Sequence, residues 1–147
     1  MKKQISRALL GLAAALALGV AANAQAAMDK VVIRVPFDFV AGEKRLPAGR
    51  YTVRPVKSDA GTTLLIRSED GRASALVLTN AGDPQPRAAA LVFRQHGDRY
   101  FLAEVSVPGA ASVRELPKSG AERRLERELA EQKGGESKTV TVVGRVQ

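Results

Sequence analysis

Short apolar segments that alternate with polar residues follow one another along residues 31–107 and limit this 147-residue chain to few folds. In the segment 31–40, Ile33 and Val35 face one way while Arg34 faces the other. This period of two is typical of a half-buried strand. Five further segments of this kind lie at 50–56, 62–68, 73–79, 87–95 and 99–107, and turn residues separate them.

The pattern predicts an all-β fold, an antiparallel sandwich or small barrel of about six to seven strands with one short C-terminal helix. No stretch before Pro117 has enough helical periodicity to supply the crossover helices of a parallel sheet. Pro36 cannot donate a ladder hydrogen bond, so we expect the first strand to be an edge strand or to be bulged there. The aromatic residues, which all lie on predicted strands, are expected to pack in the core. They are Phe37, Phe39, Tyr51, Phe93, Tyr100 and Phe101.

The N-terminus has the three parts of a cleaved secretory signal. Lys2, Lys3 and Arg7 precede an apolar run over 8–20, and small residues in an A-x-A pattern follow it. Cleavage fits after Ala24 or after Ala26, and we take 1–26 as the signal. The apolar run is shorter than the roughly 20 residues that a spanning helix needs. We therefore expect a periplasmic or secreted protein with no transmembrane segment after cleavage.

Charge and cysteine content narrow the range of partners. The chain has 23 Lys and Arg and 15 Asp and Glu, and the signal removes three basic residues and no acidic one. The mature chain therefore has 20 against 15, a net charge of +5. This excess suits a solvated surface, or a surface attracted to an anionic envelope polymer or lipid surface. Nucleic acid is not expected, because the basic residues show no cluster interleaved with aromatics. Without cysteine, the exported chain must rely on its core alone for stability.

The last thirty residues differ from the β domain in character. Ser119 and Glu122 fit a capping box, and Leu125 and Leu129 form a narrow apolar stripe on the helix that follows. This stripe is expected to lie on the sheet domain or on a partner. The predicted domain organisation is a signal peptide at 1–26, a β domain at 27–117, and a helix, Gly-Gly hinge and terminal strand at 118–147.

The terminal strand, residues 139–143, has two possible pairings. It can add to an edge of its own sheet, which would protect an otherwise unpaired apolar strand from aggregation. Alternatively, it can add to a sheet of another molecule. Leu125, Leu129, Val140 and Val142 are therefore the residues predicted to bind a partner.

No pattern of reactive residues predicts an enzyme. His96 is the only histidine, and its place in a Gly-Asp turn predicts an exposed side chain. Without cysteine and with one histidine, the chain lacks the ligands of a typical zinc or copper site. Glu69 and Asp70 are adjacent carboxylates, but they lie in a predicted hairpin turn without an apolar pocket. Neither calcium nor phosphate-binding loops are present, and we expect no metal and no cofactor.

One segment resembles an uncharacterised family of small exported bacterial β-rich proteins. In that family a strand ending in Phe is followed by Gly, a polar stretch, Leu-Pro-Ala-Gly and a strand that begins with Tyr. Here the matching residues run from Phe39 through Gly42, Leu46-Pro47-Ala48-Gly49 and Arg50 to Tyr51. The resemblance implies export and a β-rich domain, and it implies no activity.

The sequence therefore predicts an exported, non-enzymatic envelope protein that acts as a binding or interaction module. Its partner would be an envelope protein or an anionic envelope polymer. A second hypothesis is a carrier or sensor whose sheet domain encloses an apolar ligand. A third, based on Glu69 and Asp70, is a carboxylate-based hydrolase. The sequence leaves the oligomeric state open.

Overall fold

The computed structural model describes residues 30–56, 63–84, 88–108, 110, 112–132 and 136–146. The predicted signal peptide with both cleavage positions, and the glycine pair at 134–135, lie outside these residues. Within them the chain is mostly strand, arranged as two curled sheets with one short helix, which confirms the predicted all-β fold.

The described residues form twelve strands and one helix. They are β1 (Val31–Val35), β2 (Phe39–Ala41), β3 (Lys44–Leu46), β4 (Gly49–Pro55), β5 (Thr63–Ser68), β6 (Ser74–Leu78), β7 (Asn80–Ala81), β8 (Ala90–His96), β9 (Arg99–Ser106), β10 (Arg114–Glu115), α1 (Gly120–Glu131), β11 (Lys138–Val143) and β12 (Arg145–Val146). The first sheet has the order β12-β1-β4-β5-β6, and all its pairs are antiparallel. The second has the order β11-β8-β9-β10-β7, with β2 joined to β9 in parallel and β3 joined to β2.

The segment 31–40 forms two strands rather than the single strand predicted. β1 ends at Val35 and β2 begins at Phe39, and the two belong to different sheets. Pro36 lies at the break, because it offers no N–H for a ladder. The prediction of an edge strand is wrong, since β1 lies between β12 and β4.

The C-terminal segment belongs to the sheets and is not a separate appendage. β11 pairs with β8 within the chain over six residues, and β12 pairs with β1 in the other sheet. The chain crosses between the two sheets at Gly144, whose N–H donates to the carbonyl oxygen of Ala89 at 2.7 Å. The final residues therefore tie the two sheets together.

Aromatic rings occupy the space between the sheets. Phe39, Tyr51 and Phe93 are almost completely buried. The ring of Phe39 meets those of Tyr51 and Phe93 edge to face, at centroid distances of 5.2 and 5.3 Å. Phe37 is only half-buried and stacks on Tyr100 at 3.8 Å. Phe37 and Tyr100 thus pack against the core but are only partly buried, so the expected core position holds for these two only in part.

We expect replacement of Phe93 by alanine to cost about 3–5 kcal/mol of unfolding free energy, because it leaves a cavity between the sheets. Phe37→Ala is the matched control and should cost at most about 2 kcal/mol, since its ring is already partly exposed to water. Urea denaturation of both variants measures the difference. Equal costs would contradict the burial described for the two rings.

Gly144 gives a second stability prediction. A Cβ on this residue would overlap the side chain of Ile33 and lie 2.9 Å from the carbonyl oxygen of Val32. We expect Gly144→Ala to cost about 1–3 kcal/mol through overpacking. Val143→Ala, at an exposed neighbouring position, should change stability by less than about 0.5 kcal/mol. Thermal unfolding of both variants tests this, and an unchanged melting temperature for Gly144→Ala would refute the close crossing.

Candidate functional site

The outer face of the five-stranded sheet carries an unusual concentration of arginine. Side chains on a strand alternate between two faces, and here the inward positions, such as Ile33, Val53 and Ile66, are almost completely buried. The positions between them therefore face outward. Five of these outward residues, which we call the arginine face, are exposed arginines. They are Arg34, Arg50, Arg54, Arg67 and Arg145.

The strand register places these arginines side by side. Arg34 lies directly opposite Arg50, and Arg67 lies opposite Thr52, next to Arg54 along the same strand pair. Arg145 lies opposite Val32 at the far edge of the sheet. With neighbouring strands about 4.8 Å apart, the five strands present a face roughly 19 Å across. The guanidinium groups therefore form one surface rather than isolated charges.

Little negative charge balances this surface. None of the outward positions on the five strands, all of which the structure describes, is acidic. Arg50 pairs with Glu69 of the β5–β6 turn at 3.3 Å, and both side chains are more than half exposed. Within the described part of the chain, the other four arginines have no acidic partner. The face is therefore strongly positive, as expected of a surface that attracts anions.

One corner of the same face is apolar. Leu65 on β5 lies opposite Leu76 on β6, and Thr63 lies opposite Leu78. Leu76 is 67% exposed and Leu78 is 71% exposed. Both lie on β6, the edge strand of its sheet. We call Leu65, Leu76 and Leu78 the leucine corner. This corner lies beside Arg54 of β4, which is opposite Leu65 of β5.

A second group of polar residues is buried on the other side of the molecule, between α1 and β8. Glu122 lies in the first turn of the helix and is 1% exposed. Its carboxylate accepts two hydrogen bonds from Arg94, from Nε at 2.6 Å and from Nη2 at 2.9 Å. Nε2 of His96 donates to the same carboxylate at 3.0 Å. Glu126, one turn further along the helix, lies 3.5 Å from that nitrogen. We call these four residues the buried ionic cluster.

Local sequence explains why the helix starts at this cluster. Ser119 accepts a hydrogen bond from the N–H of Glu122 at 3.1 Å, which confirms the predicted N-cap. The carboxylate of Glu43, in the β2–β3 turn, accepts from the N–H of Gly120 at 2.8 Å. An anion at a helix N-terminus is favoured by the helix dipole. The helix is therefore fixed to both β8 and the β2–β3 hairpin.

The ionic contacts outweigh the desolvation of Glu122. Burial alone would raise the pKa of this carboxyl, but the hydrogen bonds and charges of Arg94 and His96 lower the pKa below its usual value. Glu122 is thus held ionised, and its charge is matched by the bidentate guanidinium. The arrangement is a stabilising contact between helix and sheet.

The cluster is also the group of described residues that could hold a metal ion. Ligand atoms of His96, Glu122 and Glu126 lie within 4.8 Å of one another. However, Arg94 already occupies both oxygens of Glu122, and Lys118 pairs with Glu126. A cation entering here would meet two fixed positive charges, so we interpret the cluster as structural.

Several residues singled out from the sequence occupy other environments than predicted. His96 is 2% exposed, so the prediction of an exposed turn histidine is wrong. His96 is the last residue of β8, and α1 covers its side chain. The local turn signal does not indicate this contact. Leu125 and Leu129 are half-buried on α1, and Glu122 is the residue that α1 buries.

Val140 and Val142 also have their place within the chain. They lie opposite Phe93 and Leu91 and pack against the core. Their side chains are thus used in the fold, and of the two pairings considered for this strand, the structure has the one within the chain.

The carboxylates considered for hydrolysis lie in an exposed turn, as predicted. Asp70 accepts hydrogen bonds from Ser68 at 2.6 Å and from the N–H of Arg72 at 3.0 Å. The bond from Ser68, with that from Arg72, lowers the pKa of Asp70 below its usual value. A general acid needs a raised pKa. The hydrogen bonds of Asp70 therefore stabilise the turn and do not prepare the carboxyl group for catalysis.

No family model, no curated protein and no solved structure matches this chain. The resemblance to an uncharacterised exported family therefore stays a prediction. Among the described residues, no helix has the length and hydropathy needed to cross a membrane.

The buried ionic cluster predicts a specific acid sensitivity. Because the folded-state pKa of Glu122 is lowered, its ionised form stabilises the fold above the unfolded-state pKa of about 4.3. That contribution is lost as the pH falls through the folded-state pKa. At pH 7, Glu122→Gln should cost about 3 kcal/mol, since it leaves the partly buried guanidinium of Arg94 without its charge partner.

Urea denaturation between pH 7 and pH 3 measures both effects. The Glu122→Gln variant should lose less stability on acidification than the unchanged protein. Glu126→Gln, on a more exposed side chain, serves as the control and should cost less than about 1 kcal/mol. Parallel pH profiles for the unchanged protein and Glu122→Gln would contradict this role of Glu122.

Proposed function

We propose that the mature chain is a non-enzymatic binding module of the bacterial envelope that uses the arginine face to bind an anionic envelope component. One observation carries the proposal: five exposed arginines share one open sheet face that has no acidic outward residue on its strands. Export itself rests on the signal-like N-terminus, with its basic start, apolar run and small residues before residue 27.

The chemistry of arginine supports this assignment. A guanidinium stays charged at every physiological pH and offers a planar set of donors that fits phosphate, sulfate and carboxylate groups. Four of the five arginines have no acidic partner within the described residues, so their donors are open to a ligand. An array of such groups suits a repeating anion better than a single small molecule, because many weak contacts then act together.

The competing hypotheses have weaker support. An apolar carrier needs a cavity between the sheets, yet the rings of Phe39, Tyr51 and Phe93 pack against one another in that space. A hydrolase needs a carboxyl group with a raised pKa, and the hydrogen bonds to Asp70 act in the opposite direction. Binding by the C-terminal segment is less favoured, because β11 and β12 are structural parts of the two sheets.

Binding of residues 27–147 to dextran sulfate, a soluble polyanion, tests the proposal. Binding should weaken as salt is added, because counterions are released when charges pair. In the double variant Arg54→Ala/Arg67→Ala, the slope of log K against log salt should decrease in magnitude by up to about 2, roughly one for each arginine removed.

The matched control is Arg124→Ala/Arg127→Ala, which removes two exposed arginines from α1. It has the same net charge as the test variant but leaves the arginine face intact. It should therefore keep the slope of the unchanged protein. Equal weakening in both double variants would assign binding to net charge alone. No binding at low salt would overturn the proposed function.

A further inference from the structure

We infer that the anionic component is a lipid bilayer surface, on which the arginine face contacts the headgroups and the leucine corner enters the boundary of the acyl chains. The inference rests on the proposed function and specifies its ligand. Its carrying observation is the juxtaposition, on one sheet face, of unpaired arginines and two leucines about 70% exposed.

The leucine corner distinguishes a bilayer from a soluble polyanion. A charged polymer in water offers no apolar phase, so Leu76 and Leu78 would stay hydrated when the arginines bind it. A bilayer offers both chemistries within a short depth, anionic headgroups at the surface and hydrocarbon just below. Burying exposed leucine side chains there is favourable in proportion to the apolar area removed from water.

Geometry places both groups where a flat surface can meet them together. β6 is the margin of the five-stranded sheet, and its outward leucines are two residues apart on the same face. Arg54 and Arg67 project from the two adjoining strands, with Arg67 opposite Ser74 of β6. A membrane that contacts the arginines therefore meets the leucines at the edge of the same sheet.

The inward side of β6 shows that the leucines are not displaced core residues. Ala75 and Val77 alternate with them and are 5% and 2% exposed, respectively. A shift by one residue would bury the leucines and expose the core, so the register is strongly fixed. The exposure of Leu76 and Leu78 is therefore a stable property of this strand.

Co-sedimentation of residues 27–147 with vesicles tests the inference. The vesicles contain phosphatidylglycerol mixed with phosphatidylcholine, and pure phosphatidylcholine vesicles provide the neutral comparison. We expect binding to the anionic vesicles at low salt and much weaker binding to the neutral ones. Arg54→Ala/Arg67→Ala should weaken anionic-vesicle binding by about thirtyfold, at roughly fivefold for each arginine.

Leu76→Ser/Leu78→Ser is the decisive variant. It should weaken vesicle binding by about tenfold or more and leave dextran sulfate binding unchanged. Val143→Ser is the matched control, since Val143 is also 67% exposed but lies on the other sheet. It should bind vesicles like the unchanged protein. Circular dichroism establishes that each variant is folded before binding is compared.

The other outcomes separate this inference from the proposed function. If the leucine variant binds vesicles as the unchanged protein does, the ligand is a soluble or surface polyanion; the bilayer inference fails and the proposed function stands. If the chain binds neither vesicles nor dextran sulfate, both fail. If the leucine substitutions change the sedimentation coefficient without vesicles, the leucines join two copies of the chain, which overturns the inference. Equal binding to neutral vesicles would also overturn it, because the arginines would then contribute nothing.

Discussion

The alternation of side chains along the strands of the five-stranded sheet is the constraint on which both the core and the proposed binding surface depend. Inward residues such as Ile33 and Val53 must be buried for the two sheets to pack. Because the period is two, their burial fixes the orientation of every residue between them. The arginines thus face outward as a direct consequence of core packing. A change of register could not move them without also exposing the core.

On the opposite side of the molecule, the buried ionic cluster fixes a short helix to the sheet. This helix would be only marginally stable alone in water. Glu122 fixes the helix to β8, because Arg94 and His96 contact its carboxylate inside the protein. Such a contact is directional, so it also determines where along β8 the helix lies. Arginine therefore has opposite roles at the two places. On the arginine face its N–H donors are open to a ligand, whereas in the buried ionic cluster Arg94 donates to Glu122.

Much of the fold follows from local sequence signals. The Asp70-Gly71 turn, the Ser119 cap and the strands on either side of Gly97 lie where the residues predict them, with positive φ at both glycines. The break at Pro36 was visible only as a weak point in a strand. Its consequence, that β1 and β2 enter different sheets, depends on contacts with β9 and β12 that no local pattern contains.

The candidate site was less predictable for the same reason. Alternation alone indicates that Arg34, Arg54 and Arg67 face outward within their own strands. Their union into one face requires the order β1-β4-β5, which is a property of long-range pairing. Likewise, His96 looks like a turn residue until α1, which follows about two dozen residues later in the chain, is placed over it. The sequence does contain one signal of the arginine face, which is the recurrence of arginine at outward positions of successive strands.

The most direct measurement of the central claim is an NMR titration of the isotopically labelled mature chain with dextran sulfate, observing the arginine Nε–Hε signals. Our account predicts that the signals of Arg34, Arg54, Arg67 and Arg145 shift together as the polyanion is added. Those of Arg124 and Arg127 on the helix should stay nearly constant, as should that of Arg94, which is paired with Glu122. Uniform shifts across all exposed arginines, or shifts confined to the helix, would contradict the claim that the outer sheet face is the binding surface.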